Sequence, residues 1–243
     1  MNHTKKILGA MALTMLLGAC GGGGGDGGSS GNSNSTSAPQ DVSVPLQTAV
    51  ANEVNNGITV NFSITGTVGG TAVTGSGSLN DAKAVSGMFN GAAALTTTET
   101  LSGTVMANGV SQQFSTMRTI FRNPATFAEV AENLGGPIVI FPAYVFPATV
   151  KAGDSGTLVT GTVFSDSSMT TKTGSVVRAF SVAADTSTTL LVTFTESDFD
   201  TNNVKLADDQ TTLRVDTSGN IQFVSEKVTG FSVNGQQGSL TFQ

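Results

Sequence analysis

Histidine and cysteine are nearly absent from this sequence, and tryptophan is absent altogether. The 243 residues include one histidine, His3, and one cysteine, Cys20. Beyond Cys20 the chain therefore has neither an imidazole nor a thiol. Ser-His-Asp and Cys-His catalysis need an imidazole, and the zinc sites built on His or Cys need those ligands. We predict that the protein is not an enzyme, although paired-carboxylate or Ser-Lys catalysis stays formally open because spatial pairing is invisible in one sequence.

Positive charge is also scarce. The chain has 11 Lys and Arg residues against 17 Asp and Glu residues, which gives a formal net charge of −6. An acidic chain is a poor partner for phosphate backbones and for an anionic membrane face. We therefore predict that it does not bind nucleic acid.

The first twenty residues have the pattern of an export signal. Lys5 and Lys6 precede an apolar run of 11 residues, 7–17. That length is within the ~7–15 residues of a signal-peptide core and below the ~18 or more of a membrane-spanning helix. The run leads into Leu17-Gly18-Ala19-Cys20, which resembles the lipobox of bacterial lipoproteins.

This resemblance implies that residues 1–19 are a signal peptide and that Cys20 receives covalent lipid, as palmitate and related acyl chains. Two or more acyl chains anchor a protein stably in a membrane, so the membrane is one predicted partner. By the usual proteobacterial rule, Gly21 in place of Asp implies the outer membrane, with the periplasmic or surface face left open. The alternative is an ordinary secretory signal with a chance cysteine, but a lone cysteine in an exported protein favours lipidation.

Residues 21–41 are rich in Gly, Ser and Asn and contain few apolar side chains. Such a segment has too little to bury to offset its ordering entropy. We therefore divide the chain into a signal peptide (1–19), a lipidated cysteine with a disordered tether (20–44) and a β domain (45–243). Whether that β domain is one unit or two halves stays open at this point.

Alternating apolar and polar residues predict strands along the β domain. The clearest runs from Ile58 to Thr67, followed by a Gly69-Gly70 turn and a returning strand over 71–79. A second hairpin is predicted over 94–121, turning at Asn108-Gly109. Further strands are predicted at 157–165, 175–183, 188–196, 211–215, 221–228 and 239–242.

One helix is predicted near residues 124–134. Pro124 suits a first helical position, Gly135 follows the last, and Phe127, Val130 and Leu134 lie on one helical face. The predicted fold class is all-β: an antiparallel up-and-down meander that forms a barrel, a half-barrel or a sandwich, with this helix dividing or plugging it.

Two segments are candidate binding sites. The apolar stretch 138–150 is either a buried edge segment or the wall of an apolar ligand cavity, lined by Phe141, Tyr144 and Phe146. The second segment has the oxygen spacing of a calcium loop, although an Asx-rich turn explains the same residues. Its candidate ligands are Asp198, Asp200, Asn202 and Asp209.

Two functions remain open from the sequence. The first is a non-enzymatic binding or scaffold domain, presented on a tether to an envelope or extracellular protein. In architecture the chain broadly resembles surface lipoproteins of the transferrin-binding and factor-H-binding families. The alternative is a carrier of lipid or another apolar ligand in a β-barrel or half-barrel cavity. We predict no cofactor beyond the lipid at Cys20, apart from the calcium alternative.

Overall fold

The computed structural model describes residues 42–243 as fifteen strands and one helix. In chain order they are β1 (Ser43–Val44), α1 (Leu46–Asn56), β2 (Ile58–Val68), β3 (Thr71–Asp81), β4 (Val85–Phe89), β5 (Ala92–Ala107), β6 (Val110–Arg122), β7 (Glu129–Asn133), β8 (Ile138–Ile140), β9 (Val150–Lys151), β10 (Ser155–Phe164), β11 (Lys172–Ala184), β12 (Thr189–Phe199), β13 (Lys205–Asp216), β14 (Ile221–Val233) and β15 (Gln236–Phe242).

Twelve of these strands close into an antiparallel barrel. Each strand from β5 to β15, with β9 left out, pairs with the next one along the chain. β15 pairs with β2, β2 with β3, and β3 with β5, which completes the ring. β4 lies outside the ring beside the start of β5, and β1 pairs with β9 in a separate small sheet. The prediction of an all-β meander is confirmed, and of its three forms the barrel is the one observed.

Side-chain alternation explains why the sheet closes with an apolar interior. In β2, Phe62 and Ile64 are buried while Asn61, Ser63 and Thr65 are exposed. Successive side chains of a strand point to opposite faces, so the apolar set fills the barrel and the polar set covers it. The turns at 69–70 and 108–109 are where the sequence predicted them.

The single helix α1 precedes the barrel strands. Leu46, Ala49, Val50 and Val54 are its buried residues, at the spacing of one helical face. The helix ends at Gly57, whose φ of 72° lies in the left-handed region that glycine adopts without steric cost. Residues 42–243 therefore contain one short helix, but not at the predicted position.

Residues 124–134 do not form a helix, so the predicted position was wrong. The Asn123 side chain accepts hydrogen bonds from the backbone N–H groups of Ala125 and Thr126, which closes a single turn. Phe127 then has a φ of 59°, and the chain becomes extended as β7. In β7, Glu129 and Glu132 reach arginines on other strands. Strand pairing and these ion pairs outweigh the helical pattern of the segment.

Two apolar clusters lie toward opposite ends of the barrel interior, as β14 shows by running from one to the other. Ile221, at its start, packs against the cluster that includes Leu46 and Leu190. Phe231 and Val233, near its end, belong to the other cluster. Helix α1 and residues of the 141–149 segment cover the first end.

The N-terminal boundary differs slightly from the predicted division. Val42 and Val44, which we counted with the tether, are buried against the first apolar cluster. The predicted signal peptide, Cys20 and the tether up to residue 41 lie outside the described residues. Within residues 42–243, no helix has the length and apolar character needed to cross a membrane.

Candidate functional site in the barrel lumen

A cavity of about 260 Å³ lies inside the barrel between the two apolar clusters. Part of its wall is aliphatic and aromatic, from strands on several sides of the barrel. These residues are Val50, Ile58, Val60, Leu79, Leu101, Phe146, Leu158, Phe194, Leu213, Ile221, Phe223 and Val228. Ligand sites combine such an apolar wall with a few polar groups, so the lumen is the candidate binding site.

The rest of the wall is charged, with an excess of acid. Ten carboxyl side chains line the cavity against three guanidinium groups, those of Arg118, Arg122 and Arg178. Strand register brings many of them together, because directly paired residues share a face of the sheet. Glu99 of β5 pairs with both Asp81 of β3 and Arg118 of β6.

The three arginines bind four of the glutamates. Arg118 Nη2 lies 2.7 Å from Glu99 Oε2, and Arg122 Nη1 lies 3.0 Å from Glu129 Oε1. Arg178 connects the two sides of the lumen. Its Nη2 lies 2.7 Å from both Glu132 Oε1 and Glu196 Oε2, and the same guanidinium contacts Glu129. The positive charge of the lumen is therefore already matched by these glutamates.

Four further carboxyl groups, those of Glu53, Asp81, Asp209 and Glu226, line the lumen and form no ion pair with any residue of the described range 42–243. Asp209 and Glu226 are neighbouring acids, and Asp209 Oδ1 is buried without a hydrogen-bond partner. Asp81 is 3% exposed, and its Oδ1 is buried without a hydrogen-bond partner. An unpaired polar atom in a protein interior is costly, so Asp81 marks a position where a hydrogen-bond donor is missing.

Burial shifts the acid–base behaviour of these groups. It raises the pKa of Asp81 and of Glu226 to about 7 each and that of Glu132 to about 8. Burial also raises the pKa of Glu53, and burial together with Glu226 holds the pKa of Asp209 well above its usual range. The cause is the cost of keeping charge away from water. Several lumen carboxyls therefore keep a proton near neutral pH.

The predicted aromatic wall is partly in the cavity. Tyr144 and Phe146 line it, with ring centroids 5.4 Å apart, and the Tyr144 hydroxyl accepts a hydrogen bond from the Glu129 backbone N–H. Phe141 belongs to a neighbouring buried cluster, where Arg178 lies 4.4 Å from its ring centroid. Phe141 thus packs against a lumen arginine and does not itself line the cavity.

The four candidate calcium ligands fall into two settings. Asp200 and Asn202 lie in the turn between β12 and β13, where Asp200 Oδ1 accepts the N–H groups of Asn202 and Val204. Asp198 and Asp209 are on the flanking strands and line the lumen. Asp200 thus forms the Asx turn that the sequence offered as the alternative. Among residues 42–243, no group of three or more His, Cys, Asp or Glu side chains could hold a metal ion.

Most of the charged residues that line the lumen were not predicted from the sequence. One feature of the sequence could have indicated it: a charged residue at an inward-facing position of a predicted strand whose other inward-facing residues are apolar. Arg178 stands between Val176 and Phe180, and Glu196 two residues from Phe194. Which charges meet inside the barrel depends on pairing between distant strands.

Comparisons with known proteins assign no family to this lumen. No protein-family model, no curated protein sequence and no solved structure matches the chain.

Proposed function

We propose that this protein is a non-enzymatic binding protein that takes up a small molecule in its barrel lumen, while lipid at Cys20 holds it at the outer membrane. The observation that supports the proposal is the cavity of about 260 Å³ with a mixed apolar and charged wall. A domain that only presented its outer surface to a partner would gain nothing from such a lumen. Keeping carboxyls in it unpaired costs stability.

The size of the cavity limits the ligand. The volume of about 260 Å³ is a little below the ~300–1,000 Å³ of pockets that hold drug-sized compounds. The ligand is therefore a compact molecule.

Native mass spectrometry tests the proposal on the full chain with Cys20→Ala, purified gently from cells. We expect a reproducible extra mass that organic extraction removes. Val60→Phe should abolish it, because Val60 lines the cavity, whereas Asn61→Phe on the outer face should retain it.

Two results would count against lumen binding. One is an extra mass that survives in the Val60→Phe variant. The other is a clean apo mass in the parent protein, which would favour the scaffold function and a search for protein partners by crosslinking on intact cells.

A further inference from the structure

We infer that the ligand of the lumen is an organic cation: a protonated amine on a small apolar body, with its ammonium group bound at Asp81. This inference rests on the proposed lumen binding and names the chemical class of its ligand. The position is defined by a buried carboxylate oxygen without a partner that lines the cavity.

The charge balance of the lumen selects a cation. Of the ten lumen carboxyls, Glu99, Glu129, Glu132 and Glu196 pair with the three guanidiniums and Asp208 pairs with Lys205, while Asp81 Oδ1 and Asp209 Oδ1 are buried without a partner. Arg118 Nε and Arg122 Nε are buried donors without a partner, but an anion bonded to them would lie beside the glutamates that already pair with these guanidiniums. Above pH 7, where Asp81 ionises, a cation adds positive charge and satisfies a buried acceptor.

Asp81 and Asp209 each have a buried Oδ1 without a hydrogen-bond partner. Burial and the neighbouring Glu226 hold the pKa of Asp209 well above its usual range, whereas Asp81, with a pKa of about 7, is ionised at pH 8. Asp81 is therefore the better acceptor for a cation. Arg122 and then Glu53 on helix α1 are the charged groups that act most strongly on Asp81. An ammonium group has three donors and no acceptor, so it can supply the donor that Asp81 Oδ1 lacks.

The surroundings of Asp81 suit the apolar part of such a ligand. Ile58 pairs directly with Asp81 across β2 and β3, and Leu79 and Val60 form the next inward pair. All three line the cavity with Asp81. A metal ion would make no use of this wall, and the described residues contain no metal-binding group of acids. The wall therefore favours an amine with an apolar body over an inorganic cation.

Isothermal titration calorimetry at pH 8 on the full chain with Cys20→Ala tests the inference. The probes are 2-phenylethylamine, 2-phenylethanol and phenylacetate, which share a ring and differ in charge. We expect the amine to bind at least tenfold more tightly than the alcohol, because a charge-assisted hydrogen bond contributes ~1.5–3 kcal/mol and ~1.4 kcal/mol is tenfold. Phenylacetate should not bind.

Two variants locate the amine. Asp81→Asn should reduce the affinity for 2-phenylethylamine tenfold or more and leave that for 2-phenylethanol unchanged. Asp166→Asn, in an exposed turn, should change neither. A thermal melt controls for folding: Asp81→Asn should melt no lower than the parent at pH 8, because it removes a buried charge. Glu53→Gln provides a second variant, at an acid that acts on Asp81.

The outcomes separate this inference from the proposed function. Equal binding of amine and alcohol would overturn the cation and leave lumen binding intact. Amine binding that survives both Asp81→Asn and Glu53→Gln would overturn the position. Binding of none of the three probes would overturn the inference, while the native mass spectrum decides separately whether the lumen is occupied.

Discussion

At the scale of single residues, Arg178 forms more ion pairs than either of the other two lumen arginines. Its guanidinium contacts Glu129, Glu132 and Glu196 from two other parts of the barrel and stacks on the Phe141 ring. A planar guanidinium can serve several carboxylates at once, which an ammonium cannot match in geometry. Loss of Arg178 would leave three acids with less compensation in a buried site.

Arg178→Ala should therefore lower the free energy of unfolding by about 3–5 kcal/mol, the usual cost of removing one partner of a buried ion pair. Arg214→Ala is the matched control, because the ion pair of Arg214 with Asp185 lies nearer the surface, with the Arg214 side chain 37% exposed. Pairs in contact with solvent contribute ~0–1 kcal/mol. Urea unfolding of both variants measures the difference. Equal, small losses would show that Arg178 is not structurally important.

At the scale of elements, local pattern predicted most of the strands but not the helix. Strands such as β2 follow from alternation alone, since every second residue from Ile58 to Ile64 is apolar. Helix α1 has a short apolar stripe and follows a polar tether, so its burial depends on the barrel end that it covers. Residues 124–134 show the reverse: Phe127, Val130 and Leu134 have helical spacing, but the segment pairs as a strand. Its Glu129 and Glu132 form ion pairs with the adjacent strand β6 and with Arg178, which is far away in sequence.

If packing holds α1 in place, its buried face should dominate its contribution to stability. Leu46 is fully buried in the apolar cluster with Leu190 and Val215. Leu46→Ala should cost about 2–5 kcal/mol, as large-to-small core substitutions do. Asn55→Ala, on the exposed side of the same helix, should stay within about 0.5 kcal/mol. Chemical denaturation compares the free energies of unfolding of the two variants. No loss in Leu46→Ala would mean that the packing of α1 on the barrel contributes little to stability.

At the scale of the whole molecule, closure of the barrel creates what the sequence could not reveal. β3 pairs with β5 and β15 pairs with β2, so residues from both ends of the domain face one lumen. Asp81 and Glu226 are far apart in sequence, and only closure encloses both within the same cavity. Composition indicates an acidic chain, but it does not indicate that some of the acidic side chains lie inside the barrel.

The enclosed acids make the stability of the ligand-free protein depend on pH in a defined direction. Asp81 faces Glu53 on α1, Glu99 on β5, and Arg118 and Arg122 on β6, and its pKa is raised to about 7. A raised pKa means that the folded state holds its proton more tightly than the unfolded state does. The resulting stability is complete below the unfolded pKa near 4 and is lost as the pH rises through 7.

Surface carboxylates act in the opposite sense, but at lower pH. Hydrogen bonds from Ser168 and Asn220 lower the pKa values of Asp166 and Asp216, so these groups stabilise the fold above pH 4 and lose that effect in acid. The two sets together place the maximum stability of the free protein near pH 5.

The melting temperature of the ligand-free protein should therefore fall between pH 5 and pH 8.5. We expect a fall on the order of 5–10 °C, since ~1 kcal/mol corresponds to ~2–4 °C for a domain of this size. Asp81→Asn combined with Glu226→Gln should make this fall smaller, because neither amide titrates, while Glu132 with its raised pKa remains. Scanning calorimetry across this range in matched buffers measures both proteins. A melting temperature that rises toward pH 8.5 would mean that the lumen carboxyls are already ionised and compensated, which would remove the reason for a cationic ligand.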